Sequence, residues 1–524
     1  MIFSFLNSRF FLVFLFPFIL GTATVFSFQP FNYNYINFFI IPALFLVTTY
    51  VKKRSKNTYR RKPYLLNLFL IGYLFGFGFF LTGTYWISHS LTFDENFKFL
   101  IPISIICIPL FLGIFFGLGN LIAGPFLKNN FISILLFSSS FAFMDYLRAK
   151  IFTGFPWNSW AYTWSWAPEI LQSLPVIGFF SFNLFCILFY CSLLLLIFRK
   201  KFGYTIFSLL GIFFLSNYIY GNTIINKNDQ FFEKRKLNTK NSIFTKIISP
   251  GFDLKYNLSN DDISKNIINL IRYSAPEKNK KTLFVWPEGV FTGFSFDQIK
   301  QYKYIFEESF SDDHLILFGV NTTKNNQVDV QSFNSLVIIN NKFDILFKYD
   351  KTKLVPFGEF LPYEDFLSKL GLKKITEGYG SFSKGTEKNI FSLNELKLLP
   401  LICYEIIFTE LSQNHTKKNL IVNISEDAWF GETIGLSQHL AKAIFRAVEN
   451  NVYLIRSANK GFSTFIDNKG VIKKILQPNE KGVIELNVPF INNAQRKYKI
   501  DLIFFALLFT CALIFITFKK NENK

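Results

Sequence analysis

Eight stretches of this chain are too apolar and too long to rest in water: residues 10–27, 35–51, 64–88, 99–125, 131–148, 170–198, 203–220 and 499–518. A helix crosses a bilayer with ~20 mostly apolar residues, and inside lipid its backbone polar groups must pair with one another. These stretches therefore predict about eight transmembrane helices, seven ahead of a long mixed region and one after it. The second is the weakest, because Asn37 and Pro42 interrupt a short run. The first has the length of a signal peptide. No small-residue cleavage site follows it and further spans come next, so it reads as an anchor. Half of the 524 residues are hydrophobic and 71 are Phe, and the excess is concentrated in these blocks.

The formal net charge of +20 invites a nucleic-acid reading, which its distribution argues against. Residues 1–220 with 501–524 carry +12, and residues 221–500 carry +8. In the apolar part the basic residues cluster at alternate loops, at Lys52–Lys62, Lys128, Arg199–Lys201 and Lys519–Lys524; the loops between carry Lys98, Arg148 and Lys150. Cytoplasmic loops are enriched in Lys and Arg. The alternation predicts both termini in the cytoplasm and the long region across the membrane. The modest excess there is the ordinary solvated basic surface, or a preference for anionic headgroups. No basic-aromatic interleaving points to nucleic acid.

Three regions follow: a seven-span bundle at 1–220, a water-soluble domain at 221–498, and a final span with its tail at 499–524. The polar segment Asn226–Asn241 reads as a linker. The soluble domain alternates short apolar runs, at 243–248, 283–286, 315–320, 334–340, 343–348, 397–403, 420–424, 452–456, 463–466 and 471–476, with helical patterns at 260–274, 297–309 and 437–450. In the last helix Leu440, Ala443, Ile444, Ala447 and Val448 share a face. Strands mixed with helices over this length predict a layered α/β domain.

Of five cysteines, four lie in apolar spans, and Cys403 alone belongs to the soluble domain. A lone cysteine is ordinarily a buried structural residue. Its company argues for chemistry. Glu288 closes the strand-like run Leu283–Glu288, and Lys351 opens a segment ending in Gly358-Glu359. A thiol attacks an acyl carbonyl once a base removes its proton, and a fixed cation stabilises the oxyanion. Glu288 suits the base and Lys351 the cation. The bland alternatives are a surface carboxylate and a surface lysine, with Lys353 a direct competitor for the cation's role. Glu359 is placed to orient either the lysine or the thiol region through a charge-assisted hydrogen bond, and Glu405 is either a supporting or a surface residue. The histidines, His89, His314, His415 and His439, fall in no metal or triad spacing, no Cys-x-x-Cys is present, and no Gly-rich phosphate loop follows a strand. No metal or organic cofactor is implied.

Trp286-Pro287-Glu288, Lys351–Glu359 and Cys403-Tyr404-Glu405, in that order, resemble the Glu-Lys-Cys motifs of the nitrilase (carbon-nitrogen hydrolase) superfamily. The likeness is stronger to its membrane-embedded branch, the apolipoprotein N-acyltransferase family. Leu354–Glu359 matches that family's Leu-Val-Pro-Phe-Gly-Glu, and Glu426–Gly431 its Asn-Asp-Ala-Trp-Phe-Gly with Glu for Asn. Gln438-His439 and Thr153–Trp157 are similar to family patterns too. Ser249–Tyr256 replaces the usual Gln-x-Asn opening, with Tyr256 at a usual Trp position. The resemblance implies a polytopic helical bundle of about eight spans plus a nitrilase-like αββα sandwich. It implies Glu288, Lys351 and Cys403 as catalytic residues, Glu359, Tyr404 and Glu405 as supporting ones, and Tyr256, Trp429 and Phe430 as substrate contacts. It implies a two-step transfer through a Cys403 thioester, from a phospholipid donor to the α-amino group of a diacylglyceryl-apolipoprotein. The setting would be a bacterial inner membrane with the catalytic domain on the periplasmic side. Phe291, Phe294 and Phe296 either line a chain entrance or pack a core.

Two rival readings stand beside this one. A membrane-tethered amidase would share the triad and pass its acyl group to water, but needs no multi-span bundle. A transporter would place ionisable residues inside the bundle. Asp145 and Arg148 are the clear candidates, and their three-residue spacing lets them pair with each other.

Overall fold

The computed structural model describes residues 5–58, 64–199, 202–235, 241–255, 258–325, 330–364, 369, 381–386, 390–413, 417–491 and 501–522. Tyr256 and His415 lie outside the described residues. The chain divides into two compact units, Met1–Ser88 with Phe99–Thr223 and Arg496–Lys524, and His89–Lys98 with Ile224–Gln495.

Among the described residues, eight helices are long and apolar enough to cross a membrane: Phe10–Ser27, Asn34–Ser55, Tyr64–Phe93, Glu95–Phe126, Phe131–Lys150, Phe179–Phe198, Gly203–Phe231 and Asp501–Lys519. They coincide with the eight apolar stretches, with one shift. The sixth starts at Phe179 because Gly178, at φ 78°, ends the short helix Leu174–Ile177. The segment read as a linker is helical in its first part, since the helix beginning at Gly203 continues to Arg235. Apolar side chains gain nothing from leaving lipid, so helices in a bilayer associate through close backbone contact at small residues. A Cβ on Gly21 would strike the Phe75 carbonyl, and one on Gly76 would come within 3.0 Å of the Gly113 Cα. Asp145 and Arg148 pair at 2.8 Å with both side chains buried, and Asn183 Nδ2 donates to the second Asp145 oxygen at 2.9 Å. Arg148 Nη1 also donates to the Phe155 carbonyl, so the pair is held by neighbouring groups as well as by itself.

The second unit contains two six-stranded sheets. The first sheet has the order β12-β1-β2-β3-β4-β5, from Gly482–Pro489, Ser242–Ser249, Thr282–Val285, His314–Asn325, Val330–Ile339 and Ile345–Asp350. The second has the order β11-β10-β9-β8-β7-β6, from Ile472–Leu476, Ser463–Ile466, Tyr453–Asn459, Leu420–Glu426, Leu396–Ile402 and Phe391–Leu393. β1, β2 and β3 run parallel, as do β7, β8 and β9. One apolar core lies between the sheets, with Leu283, Val285, Leu336, Ile402, Val422 and Ile424 in it. Each such side chain contributes roughly 1.5–3 kcal/mol by leaving water. A second core packs Ile263, Ile267 and Leu270 of the helix Asn260–Ser274 against Phe284, Trp286 and Phe318 on the first sheet's outer face. That helix begins in a capping box between Ser259 and Asp262. The helix Ile434–Asn450 covers the second sheet, which completes the αββα layering.

The ten apolar runs all form strands. Two strands were not anticipated: β6, three residues long, and β12, whose alternation of Ile484, Leu486 and Val488 with Glu485 and Asn487 is a readable period of two. The single helix expected at 297–309 is two short helices, Phe296–Ile299 and Lys303–Ser309, joined by a 3-10 turn. Phe291 and Phe296 are buried in the outer core, and Phe294 packs against it half-buried.

Candidate active site

Ligand sites of parallel α/β sheets gather at the carboxyl ends of the strands. Four such ends carry chemistry here. Glu288 follows β2 after Trp286 and Pro287, Lys351 follows β5 directly, Cys403 follows β7 directly, and Glu426 ends β8. Trp286 is fully buried and its indole Nε1 donates to Ser274 Oγ at 3.0 Å, so the turn carrying Glu288 is held from the helix side.

Lys351 is 1% exposed, and its ammonium donates to Glu359 Oε1 at 2.8 Å and stands 3.7 Å from Glu288 Oε1. Burial alone would lower its pKa, but the two carboxylates outweigh burial and raise it, so the lysine stays charged. Lys353, the competing lysine, turns its ammonium over the Phe408 ring instead, 4.7 Å from the centroid. Glu359 also accepts from Val355 N at 2.8 Å. Asn334 on β4 bridges the two carboxylates: its Nδ2 donates to Glu288 Oε1 at 2.8 Å and to Glu359 Oε1 at 2.7 Å. Glu288 Oε2 accepts from the backbone N–H of Glu426 at 3.0 Å. Burial pushes the Glu288 pKa up, and the Lys351 charge opposes it only in part.

Cys403 sits where β7 breaks into the 3-10 turn Cys403–Ile407, with a left-handed φ of 48°. A non-glycine residue there stores on the order of 1–3 kcal/mol of backbone strain. The thiol is packed partly against the inter-sheet core and lies within the fields of both Glu288 and Lys351. Burial and the Glu288 charge push its pKa up while Lys351 opposes them, so the resting group is a neutral thiol. Glu405, two residues on, is fully buried. Its Oε1 accepts from Tyr349 Oη, Thr352 N, Thr352 Oγ1 and Lys353 N at 2.8–3.0 Å, and its Oε2 accepts from Ile402 N at 2.9 Å. One carboxylate thereby ties the chain beside Lys351 to the chain beside Cys403.

The remaining sequence candidates fall around this centre. Tyr404 is half-buried, its ring edge-on to Phe408 at 5.1 Å. Trp429 is half-buried and meets Phe93 edge-on at 5.1 Å. Phe430 is buried, its ring 5.0 Å from the His439 ring. Glu426 is 2% exposed, accepts from Asn459 Nδ2 at 2.9 Å and from Ala428 N at 3.1 Å, and has a pKa raised well above the carboxylate range by burial. Asn334 and Arg456 escaped sequence reasoning, while Asp427 and His439 lie in runs already marked as similar to family patterns without any sign that they meet. An asparagine inside the apolar run of β4 was the available clue to the first.

The paired sheets define the second unit as a carbon-nitrogen hydrolase-type domain in a chain that also carries eight membrane-length helices. The carbon-nitrogen hydrolase family matches residues 255–498, and the apolipoprotein N-acyltransferase N-terminal domain matches residues 20–192. The apolipoprotein N-acyltransferase of Allorhizobium ampelinum is 31% identical over 80% of this chain and 79% of its own. That of Rhizobium etli is 32% identical over 80% of each. A solved amidase from Nesterenkonia sp. aligns at 15% identity over 51% of this chain and 96% of its own, with a TM-score of 0.36. The chain belongs to the apolipoprotein N-acyltransferase family. It is a membrane protein and an acyltransferase.

Proposed function

We propose that this protein transfers a phospholipid acyl chain, through a Cys403 thioester, to the α-amino group of an N-terminal diacylglyceryl-cysteine on an apolipoprotein. The observation that carries the reading is that Glu288, Lys351 and Cys403 follow three strand ends on the same side of the paired sheets, with Lys351 3.7 Å from Glu288 and both charges acting on the thiol. Glu288 takes the thiol proton as the sulfur attacks the ester carbonyl. The Lys351 ammonium stabilises the oxyanion, and Glu359 holds the lysine in place. Collapse of the tetrahedral intermediate breaks the ester C–O bond, Glu288 returns the proton to the departing oxygen, and lysophospholipid leaves. The acceptor amine then attacks the thioester, gives up a proton to Glu288, and expels the Cys403 thiolate, which is reprotonated. Tyr404 and Glu405 support the nucleophile turn. Tyr256, Trp429 and Phe430 are proposed acceptor or chain contacts, Phe430 acting through its packing.

Eight apolar helices support this reading over a water-using amidase, because both substrates are lipid-anchored and reach such a site from a bilayer. The Asp145–Arg148 pair is buried and tied to Asn183 and the Phe155 carbonyl, a setting that lends no support to a transporter. The loop charges support cytoplasmic termini and a catalytic domain, spanning 221–498, across the membrane; the family likeness points to a bacterial inner membrane with that domain on the periplasmic side.

The test is intact-mass spectrometry of detergent-purified protein incubated with phosphatidylethanolamine and no acceptor. A hydroxylamine-labile gain of one acyl chain, absent in Cys403→Ala and discharged by a diacylglyceryl-cysteine peptide, is expected. An adduct discharged by water alone would make the protein a hydrolase. No adduct from folded protein would end the covalent reading.

A further inference from the structure

Below the nucleophile turn lies a cluster that the mechanism above leaves unused. Asn423, Ser425, Asp427, His439 and Arg456 are all at most 1% exposed. Asn423 lies on β8 opposite Leu401 of β7 and Arg456 of β9 in the parallel register. β7 pairs with β8 as far as Ile402 and then breaks into the Cys403 turn. The Asn423 side chain reaches this point: Nδ2 donates to the Leu401 carbonyl at 3.1 Å and reaches toward the Cys403 carbonyl at 3.5 Å. An amide does so only with its NH2 turned to β7. Arg456 Nη1 donates to Asn423 Oδ1 and so fixes that orientation.

The other arm of the same guanidinium reaches the second half of the site. Arg456 Nη2 donates to Asp427 Oδ2 at 2.7 Å, while Asp427 Oδ1 accepts from Ser425 Oγ at 2.6 Å and lies 3.2 Å from His439 Nδ1. Asp427 opens the 3-10 turn Asp427–Phe430 and directly follows Glu426, whose backbone N–H is the donor to Glu288. Arg456 therefore holds the backbone under the thiol with one nitrogen and the backbone under the base with the other. A planar fork with fixed donors can hold two such partners at a set separation, which a lysine cannot.

We propose that Arg456 is a positioning residue that sets the Cys403 thiol against the Glu288 base, through Asn423 on one side and Asp427 on the other. The inference rests on the acyl-enzyme reading given above. The acid limb of the acylation profile belongs to Glu288, which is faced by Lys351, Glu359, Asn334, Cys403, the Glu426 N–H and the Glu426 carboxyl. Loosening the Glu426 N–H from Glu288 weakens the ionised carboxylate and moves that limb to higher pH.

The experiment measures single-turnover thioester formation from phosphatidylethanolamine by the full-length protein in detergent, over a pH series, with thermal unfolding alongside. Arg456→Lys keeps a cation for Asp427 but cannot span both partners. It is expected to slow thioester formation about 100-fold, the scale of a small misplacement of reacting groups, and to move the acid limb upward. Asn423→Asp keeps a partner for Arg456 and loses the donor to β7. It is expected to slow the same step with the limb unmoved, and it remains informative if Arg456→Lys does not fold. Wild-type rates in either folded variant would overturn the proposal, as would losses that only track the folded fraction. A wild-type protein forming no thioester would end the covalent reading itself, and this inference with it.

Discussion

The Lys351 ammonium stands 3.7 Å from Glu288 Oε1, beside the carboxylate and beyond hydrogen-bonding distance, because Glu359 Oε1 holds it at 2.8 Å. The lysine's charge is thus tethered to one glutamate while the other keeps its capacity to take a proton. Glu359→Gln should release Lys351 toward Glu288, form a direct ion pair and make the base weaker. Thioester formation should fall by about tenfold or more, with the fold retained. Stopped-time intact-mass measurements check this, and an unchanged rate would show that the tether is idle.

Glu288 must be ionised to act, and burial raises its pKa above the ordinary 4.5. A raised base pKa means that acylation is lost as pH falls through that raised value and regained above it. The acid limb of the single-turnover rate should therefore lie above the ordinary glutamate range. A limb at the value of a free glutamate would show that another group serves as base.

Two buried glutamates meet at this site, and the same substitution should separate them. Glu426 is held well above the carboxylate range by burial, which favours its neutral form, and its oxygens are already taken up by Asn459 Nδ2 and Ala428 N. Glu426→Gln should leave thioester formation within about threefold of wild type, whereas Glu288→Gln should cost about 100- to 10,000-fold. Equal losses in the two variants, by the same mass assay, would assign proton transfer to Glu426 as well.

Glu405 accepts from Tyr349, Thr352, Lys353 and Ile402 without donating to any of them. Glu405→Gln turns an NH2 toward some of those donors and leaves them unsatisfied. Each unmade buried bond costs about 1–3 kcal/mol, so the catalytic domain should unfold at lower temperature and be cut sooner by protease. A melting temperature equal to wild type would contradict the tie between the two chain segments.

His439 is pushed down to about 4 from the ordinary 6.5, by burial first and by the Arg456 charge second. At neutral pH it is uncharged, and Arg456 alone balances Asp427. A histidine depressed in the folded state binds its proton in the unfolded chain first, so its stabilising effect is present above pH 6.5 and is lost as pH falls toward 4. The loss amounts to about 3 kcal/mol. Denaturant titrations at descending pH should show it, and His439→Gln should flatten that dependence. Parallel curves for the two proteins would place the loss elsewhere.

Much of this was readable along the chain. Membrane helices depend on length and hydropathy, which are local, and all eight spans were marked by composition alone. The ten apolar runs became strands for a similar reason. The polar side of the helix Ile434–Asn450 misleads: its pattern looks amphipathic, yet Gln438, His439, Lys442, Arg446 and Glu449 are all buried. A period of 3.6 marks the apolar face and says nothing about whether a polar face meets water or other polar groups.

By itself the sequence determined the eight spans, the strands and the order of the three motif residues, because each follows from neighbouring side chains. The tertiary structure decided which lysine faces the carboxylates, that Asn334 bridges them, and that Arg456 grips both halves of the site. Those pairings join residues far apart in the chain. They follow from the strand order of two sheets, where β8 falls between β7 and β9 and β2 lies next to β3. No local pattern carries that order, since it is chosen by how the two inner faces close over a shared core.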